Sequence, residues 1–114
     1  MIHIERVQEG NTDIVTLAGE IDASSSIALD KAIAESVAAG FTSILVDCSS
    51  LEYISSAGLG VFMSYIDELK DKNITMVLYG MNSRVENTFS ILGLHQLLKI
   101  ETGKAEAKKI IDAL

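Results

Sequence analysis

Two short apolar runs, with a segment of helical spacing between them, constrain the fold of this chain most strongly. Residues 44–46 (ILV) are a continuous apolar run, as in a strand that is covered on both faces, and residues 74–79 (ITMVLY) are typical of another buried strand. From residue 57 to residue 70 the apolar side chains instead follow the helical period. A strand, a helix and a second strand of this kind predict a βαβ unit with parallel strands.

The remaining segments extend this pattern in both directions. Residues 2–7 and 14–18 predict two strands, and the turn residues 9–13 between them indicate a hairpin. Leu29, Ile33 and Val37 predict a helix after the serines at positions 24–26, which are good N-cap residues. The polar residues 47–50 are expected to end the third strand. In the C-terminal third, a capping box at residues 83–86 predicts the start of a helix with Val85, Phe89 and Leu92 on one face. A strand at 97–100 and a helix at 104–113 are predicted to follow.

The predicted element order is therefore β-β-α-β-α-β-α-β-α, in a single small α/β domain spanning residues 1–114. A hairpin followed by alternating helices and strands implies a mixed β-sheet with packed helices. The length suits one hydrophobic core, and the 48% of hydrophobic residues are enough to form it. The strand order and the face that each helix covers are left open.

Charge and cysteine content restrict the possible partners and compartment. The formal net charge of −7 disfavours nucleic acid and anionic membrane surfaces, and it favours a partner with a basic surface. A single cysteine, Cys48, cannot form an internal disulfide and fits a reducing compartment. The first ten residues do not resemble a signal peptide, and no apolar run is long enough to cross a bilayer. We therefore expect a cytoplasmic protein.

Most motifs of enzymes and cofactor-binding proteins are missing from the sequence. It has no GxSxG nucleophile elbow, no GxxxxGK[ST] phosphate loop and no GxGxxG fingerprint. The two histidines, His3 and His95, are far apart and have no nearby cysteine or histidine partner, so no metal site is predicted. We expect a protein that is not an enzyme and has no cofactor.

Two adjacent serines, Ser55 and Ser56, precede the predicted helix at residues 57–70. A helix N-terminus exposes unpaired N–H groups and carries a partial positive charge, so a phosphate attached there is electrostatically accommodated. Serine is also among the commonest N-cap residues, and the local sequence alone favours this simpler role. The residues leave both interpretations open.

The segment around these serines resembles a known family signature. Residues 47–60 (DCSSLEYISSAGLG) are similar to the signature of STAS domains, and most of all to bacterial anti-sigma factor antagonists. That pattern contains an Asp, an apolar residue and a Ser, and later Asp-Ser-Ser/Thr-Gly-Leu. Residues 19–22 (GEID) also resemble the Gly-Glu-Leu-Asp segment of the family. The two motifs together are much more specific than either one alone.

The resemblance implies a phosphorylation-switched regulator. In this family the unphosphorylated antagonist binds an anti-sigma factor that is also a serine/threonine kinase, and so frees a sigma factor. Phosphorylation ends the binding, and a metal-dependent, PP2C-type phosphatase restores it. The family's phosphorylated serine corresponds to Ser56, and Ser55 stands where the family usually has Asp. Ser55 is therefore a second, less favoured acceptor. The alternatives are a STAS scaffold that is not phosphorylated and a module that binds a small ligand or nucleotide.

The resemblance also marks a set of candidate partner-binding residues: Asp22, Ser55, Ser56, Gly58 and Leu59. Asp22 and Ser56 are expected to share one sheet edge, provided that the strands preceding them run parallel. Glycines are unfavourable inside a helix, so Gly58 and Gly60 suggest that a neighbouring strand or a partner loop comes close to the backbone.

Helical spacing and local hydrophobicity also predict which apolar residues near the serines are buried. Leu59, Phe62 and Met63 are expected in the core because they follow the helical period. Ile54 is also expected in the core, and the position of Tyr53 is left undecided.

Overall fold

The element order predicted from the sequence is confirmed in the computed structural model, which describes residues 2–114. Within residues 2–114 one element is added to the prediction, a short 3₁₀ turn before the last strand. The elements are β1 (Ile2–Glu9), β2 (Thr12–Ile21), α1 (Ser26–Ala38), β3 (Ser43–Ile54), α2 (Ser56–Asp71), β4 (Thr75–Tyr79), α3 (Ser83–Ile91), the 3₁₀ turn (Leu94–Gln96), β5 (Lys99–Glu101) and α4 (Lys104–Asp112).

The sheet is mixed, as expected, and its five strands follow the order of the chain, β1-β2-β3-β4-β5. The hairpin strands β1 and β2 are antiparallel, and each later strand runs parallel to the one before it. Each pair of neighbouring parallel strands from β2 to β4 is joined through a helix, which is the connection that parallel strands require. The carboxyl ends of β2, β3 and β4 therefore lie along one edge of the sheet.

Helices cover both faces of the sheet, which explains the continuous apolar runs. Side chains of α1, α2 and α3 form the larger core with one face, in which the Phe62 and Phe89 rings lie 5.9 Å apart, centroid to centroid. On the opposite face, Leu45 and Val77 pack with Ala107 of α4. Because successive strand residues point to opposite faces, every residue from 44 to 46 is buried.

Strand β3 is much longer than predicted. The expected end at residues 47–50 is wrong, because the strand continues to Ile54. Its register against β2 shifts twice, and at each shift β3 contains one residue more than β2. The buried side chains Cys48, Leu51 and Ile54 are thus three positions apart, which removes the alternation that identifies a strand in a sequence. β2 also extends further than predicted, to Ile21.

Several predictions about single residues need correction. Met63 is 48% exposed and does not belong to the core. Leu92, predicted on one helix face with Val85 and Phe89, lies just after the end of α3 and is 54% exposed. The N-cap of α3 is Asn82, whose side chain accepts a hydrogen bond from the Val85 N–H at 2.8 Å. This replaces the capping box that was predicted to begin at Ser83. The last strand is also shorter than expected, because the chain forms the 3₁₀ turn first.

Candidate functional site

The carboxyl ends of β2 and β3 bring the two candidate segments together. Ile21 lies opposite Ile54 as the last registered pair of the two parallel strands. Directly after this pair, the Ser55 N–H donates a hydrogen bond to the Ile21 carbonyl at 2.7 Å. The strands that precede Asp22 and Ser56 therefore run parallel, which was the condition for placing both residues at one sheet edge. We call the exposed residues Asp22, Tyr53 and Ser56, together with the half-buried Ser55, the strand-end surface.

The two serines differ in their hydrogen bonds. Ser55 is the N-cap of α2, and its hydroxyl oxygen accepts a hydrogen bond from the Gly58 N–H at 3.3 Å. Ser56 is the first residue of the helix and is exposed. Its hydroxyl forms no hydrogen bond with any of residues 2–114. The ordinary capping role thus belongs to Ser55, and the Ser56 hydroxyl stays available at the helix N-terminus.

Asp22 is fixed by the serines that follow it. Its Oδ1 atom accepts hydrogen bonds from the Ser25 N–H at 2.9 Å and from the Ser24 hydroxyl at 2.8 Å. Its own N–H donates to the Ser25 hydroxyl oxygen at 2.8 Å. These hydrogen bonds hold the pKa of the Asp22 carboxyl well below its usual range. The largest contribution comes from the Ser25 N–H, and smaller ones come from the hydroxyls of Ser24 and Ser25. The strand-end surface therefore carries a fixed negative charge at neutral pH.

Gly58 allows α2 to begin directly against the strand ends. A Cβ atom at this position would lie 2.7 Å from Ile21 Cγ2 and 2.7 Å from Ile54 Cγ1. Of the two alternatives predicted for this glycine, a neighbouring strand or a partner loop, the close approach of strand side chains is the one found. A Cβ atom at Gly60 would have no neighbour within 4 Å among the residues described, so packing within this part of the chain does not require glycine there.

Two of the candidate partner-binding residues lie inside the protein. Leu59 is 1% exposed, and Gly58 is also buried. The Leu59 side chain anchors α2 in the core, as its helical spacing predicted, and it therefore offers no surface to a partner, contrary to its place among the candidate partner-binding residues. Ile54 is buried as expected, whereas Tyr53 is 43% exposed. Sequence reasoning left Tyr53 undecided because the irregular register of β3 hides which face each residue occupies.

The histidines, the cysteine and the acidic residues were also candidates for a metal site or a reactive group, and the structure gives their positions. No cluster of three or more His, Cys, Asp or Glu side chains in this range is placed to hold a metal ion. His3 lies at the surface, where its Nε2 atom is 2.9 Å from Glu5 Oε1. Burial, and then the nearby Asp47 charge, raise the pKa of the Cys48 thiol to about 12, so this thiol is not a nucleophile at neutral pH. Among the same residues, no helix is both long and apolar enough to cross a membrane.

The protein is a small mixed α/β domain. A helix that begins at a serine starts where two of its parallel strands end. The STAS domain profile matches residues 3–107, and the chain belongs to the STAS domain family.

Individual relatives have regulatory names. An anti-sigma-B factor antagonist of Listeria monocytogenes is 28% identical over 102 residues, which cover 88% of this chain and 90% of the relative. The crystal structure of an anti-sigma factor antagonist from Mycobacterium paratuberculosis has a TM-score of 0.90 at 20% identity, and the match covers 98% of this chain and 95% of that one.

A third similar protein, the anti-sigma factor antagonist SpoIIAA, has been solved in two forms. Its unphosphorylated form has a TM-score of 0.79 at 21% identity, with 100% of this chain and 98% of that chain covered. Its phosphorylated form, described as a Bacillus cell fate determinant, has a TM-score of 0.71 at 19% identity, with 97% and 99% covered. The same fold is therefore found both with and without phosphate.

The close contact at Gly58 predicts opposite effects for two glycine substitutions in the same helix. Gly58→Ala is expected to destabilise the protein by about 1–3 kcal/mol, because the new methyl group overpacks against two buried isoleucines. Gly60→Ala serves as the control and is expected to stabilise it by about 0.5–1 kcal/mol, through the better helix propensity of alanine. Urea denaturation of both variants measures the difference. Equal stabilities would contradict the packing described here.

Proposed function

We propose that this protein is an anti-sigma factor antagonist that is switched by phosphorylation of Ser56. The unphosphorylated protein binds an anti-sigma factor that is also a serine/threonine kinase, and the sigma factor is released. Phosphorylation by that kinase ends the complex, and a PP2C-type phosphatase restores the binding form. In this scheme the protein is the substrate of enzymes and works in the cytoplasm, with neither nucleic acid nor membrane as a partner.

The observation that carries this proposal is the free hydroxyl of Ser56 at the start of α2. A kinase needs a hydroxyl that it can reach, and Ser56 is exposed and makes no hydrogen bond within residues 2–114. The unpaired N–H groups and partial positive charge of the helix N-terminus favour the phosphate after transfer. The names of the relatives described above support the same function.

The replacement of the family's Asp by Ser55 is compatible with this role. Aspartate and serine are both strong N-cap residues, so Ser55 keeps the start of α2 in place through its bond with the Gly58 N–H. What the substitution removes is a negative charge next to the acceptor. Asp22 supplies an ionised carboxylate at the same sheet edge, held there by its bonds with Ser24 and Ser25.

The fixed charge of Asp22 and the net charge of the chain favour a partner with a basic surface. The chain carries 16 acidic residues and 9 lysines and arginines, so complementary charge also accelerates its encounter with a basic partner. Tyr53, which lies opposite Glu20 one position before the end of β3, adds a partly exposed aromatic ring near this sheet edge, and aromatic side chains are common anchors of protein interfaces.

The first prediction from this proposal concerns the modified residue. Incubation with the cognate kinase is expected to place one phosphate on Ser56, because its hydroxyl is free while that of Ser55 caps the helix. Fragmentation mass spectrometry locates the group. Ser56→Ala should abolish phosphorylation, and Ser55→Ala should retain it. Ser83→Ala is the matched control, since Ser83 is the exposed first residue of α3. Phosphate found on Ser55 alone would refute the assignment.

The second prediction concerns Asp22 as part of the binding surface. Asp22→Asn keeps an acceptor oxygen for the loop but removes the charge, and we expect kinase affinity to fall about tenfold. Asp112→Asn, at the exposed end of α4, removes the same charge elsewhere and should leave affinity unchanged. Isothermal titration calorimetry measures both, and the melting temperature shows whether each variant is folded. Unchanged affinity in folded Asp22→Asn would remove Asp22 from the surface.

A further inference from the structure

Strand β1 forms a free edge of the sheet. In the strand order β1-β2-β3-β4-β5, it pairs with β2 on one side and with no other strand of residues 2–114. Its register against β2 is continuous over all eight residues, so β1 contains no bulge, and the chain contains no proline. Proteins often use bulges and prolines to block further pairing at such an edge. β1 is therefore open to another strand.

The backbone groups that face this edge belong to the even-numbered residues of β1. A two-residue turn joins Glu9 to Thr12, and Gly10 has a φ of 62°, as the first position of such hairpin turns requires. The turn closes with hydrogen bonding between Glu9 and Thr12, so the odd-numbered residues of β1 bond to β2. The Ile21 carbonyl agrees with this, because it faces β3 and the even-numbered residues of β2 must then face β1. The outward-facing backbone groups are those of Ile2, Ile4, Arg6 and Gln8.

A second copy of this strand can pair with the edge about a two-fold axis perpendicular to the sheet. Such an axis sets one residue of β1 opposite itself, and the charges of the strand restrict the choice. An axis at Glu5 or at Arg6 brings two like charges directly together, and an axis at Val7 sets Glu5 opposite Glu9. Axes nearer either end of the strand pair too few residues. The remaining choice is an axis at Ile4.

An axis at Ile4 matches the two strands on both faces of the sheet. On the solvent face, His3 of each copy lies opposite Glu5 of the other, in addition to the 2.9 Å contact between His3 Nε2 and Glu5 Oε1 within its own chain. On the helix face, the Ile4 side chains of both copies meet at the axis. Ile2 and Ile4 are half-buried and line, with Ala28 of α1, an open groove of about 390 Å³. The added isoleucine thus extends an existing apolar surface.

The local charges at this edge balance, although the chain as a whole has a net charge of −7. The Arg6 guanidinium, which lies opposite Ile2 of the other copy in this register, is already paired with Asp13 at 2.7 Å. Lys31 and Glu35 of α1 have opposite charges and line the same groove. Two copies therefore meet at β1 without a local excess of negative charge. A strongly basic partner, which the strand-end surface favours, finds no such complement here.

We propose that the β1 strands of two copies pair antiparallel about Ile4 and join two five-stranded sheets into one continuous sheet. The Ile4 N–H of each copy donates to the Ile4 carbonyl of the other, and the backbones of Ile2 and Arg6 form the flanking pairs. Because the axis reverses the strand direction, the two strand-end surfaces lie at opposite ends of the joined sheet. Each stays open, so one dimer can hold two partner molecules. The short pairing predicts a weak dimer, with a Kd of about 0.1 mM.

The test measures self-association of the full chain by sedimentation equilibrium at about 10 µM to 1 mM, which spans the expected Kd. We expect a monomer–dimer equilibrium, and ¹⁵N spectra over the same range should show concentration-dependent amide shifts clustered at residues 2–6. A chain that stays monomeric at the highest concentration would overturn the proposal. So would association with amide shifts centred on the other edge of the sheet, at residues 97–101, or on any other surface.

Two proline substitutions test the backbone pairing. Ile4→Pro removes an outward-facing N–H at the proposed axis, and Gln8→Pro removes an outward-facing N–H of the same strand beyond the paired residues. Proline is tolerated at edge positions whose N–H faces solvent, so both variants should fold. Ile4→Pro is expected to weaken dimerisation at least about tenfold, whereas Gln8→Pro should leave it unchanged. Equal effects of the two substitutions would contradict pairing at Ile4.

A charge exchange tests the register even if Ile4→Pro fails to fold. His3→Glu places like charges opposite each other twice in the dimer and should weaken association about threefold or more. The double variant His3→Glu/Glu5→Lys restores opposite charges across the axis and should recover the original affinity. His95→Glu, at an exposed position of the 3₁₀ turn, makes the same charge change elsewhere and should have no effect. Equal weakening by His3→Glu and His95→Glu, or no recovery in the double variant, would overturn the proposal.

Discussion

The candidate site depends on the parallel pairing of β2 and β3 up to their last residues. The Ile21–Ile54 pair and the hydrogen bond from the Ser55 N–H to the Ile21 carbonyl, at 2.7 Å, end both strands at the same level. Gly58 then lets α2 start against these two isoleucines without a steric conflict. The position of Ser56 is therefore fixed by buried apolar contacts and backbone bonds, and its own hydroxyl contributes nothing to them.

This division of roles explains how a switch can be local. The bond that caps α2 belongs to Ser55, and the core contacts of the helix belong to Leu59 and Phe62, which are each 1% exposed. Ser56 and Asp22 lie outside these contacts and can change in charge or partner without loss of packing. A phosphate on Ser56 adds a charge of about −1.5 to −2 at neutral pH. The positive end of the α2 dipole stabilises this charge, whereas a bound partner would contact it directly.

The sequence predicts the element order well, because each helix and strand has its own apolar period or turn residues. Capping preferences of the serines correctly indicate where α1 and α2 begin, although the predicted start of α2 at residue 57 is one residue late. The length of β3 is not predictable in this way, since two irregular pairings remove its alternation. Met63 shows a second limit, because helical spacing identifies a stripe but not how far the core extends around the helix. The close contact of Gly58 with Ile21 depends on where two strands distant in sequence end, which no single stretch of sequence contains.

The central claim is that phosphorylation of Ser56 changes a surface and leaves the fold intact. The most direct test compares backbone NMR spectra of the unmodified protein and the protein phosphorylated on Ser56, together with their melting temperatures. The account predicts amide shifts confined to residues 54–62 and to the adjoining loop at residues 22–25. It also predicts melting temperatures within a few degrees of each other, and much weaker binding of the phosphorylated form to its kinase. Shifts spread through β1, β4 and α4, or a large drop in melting temperature, would contradict it.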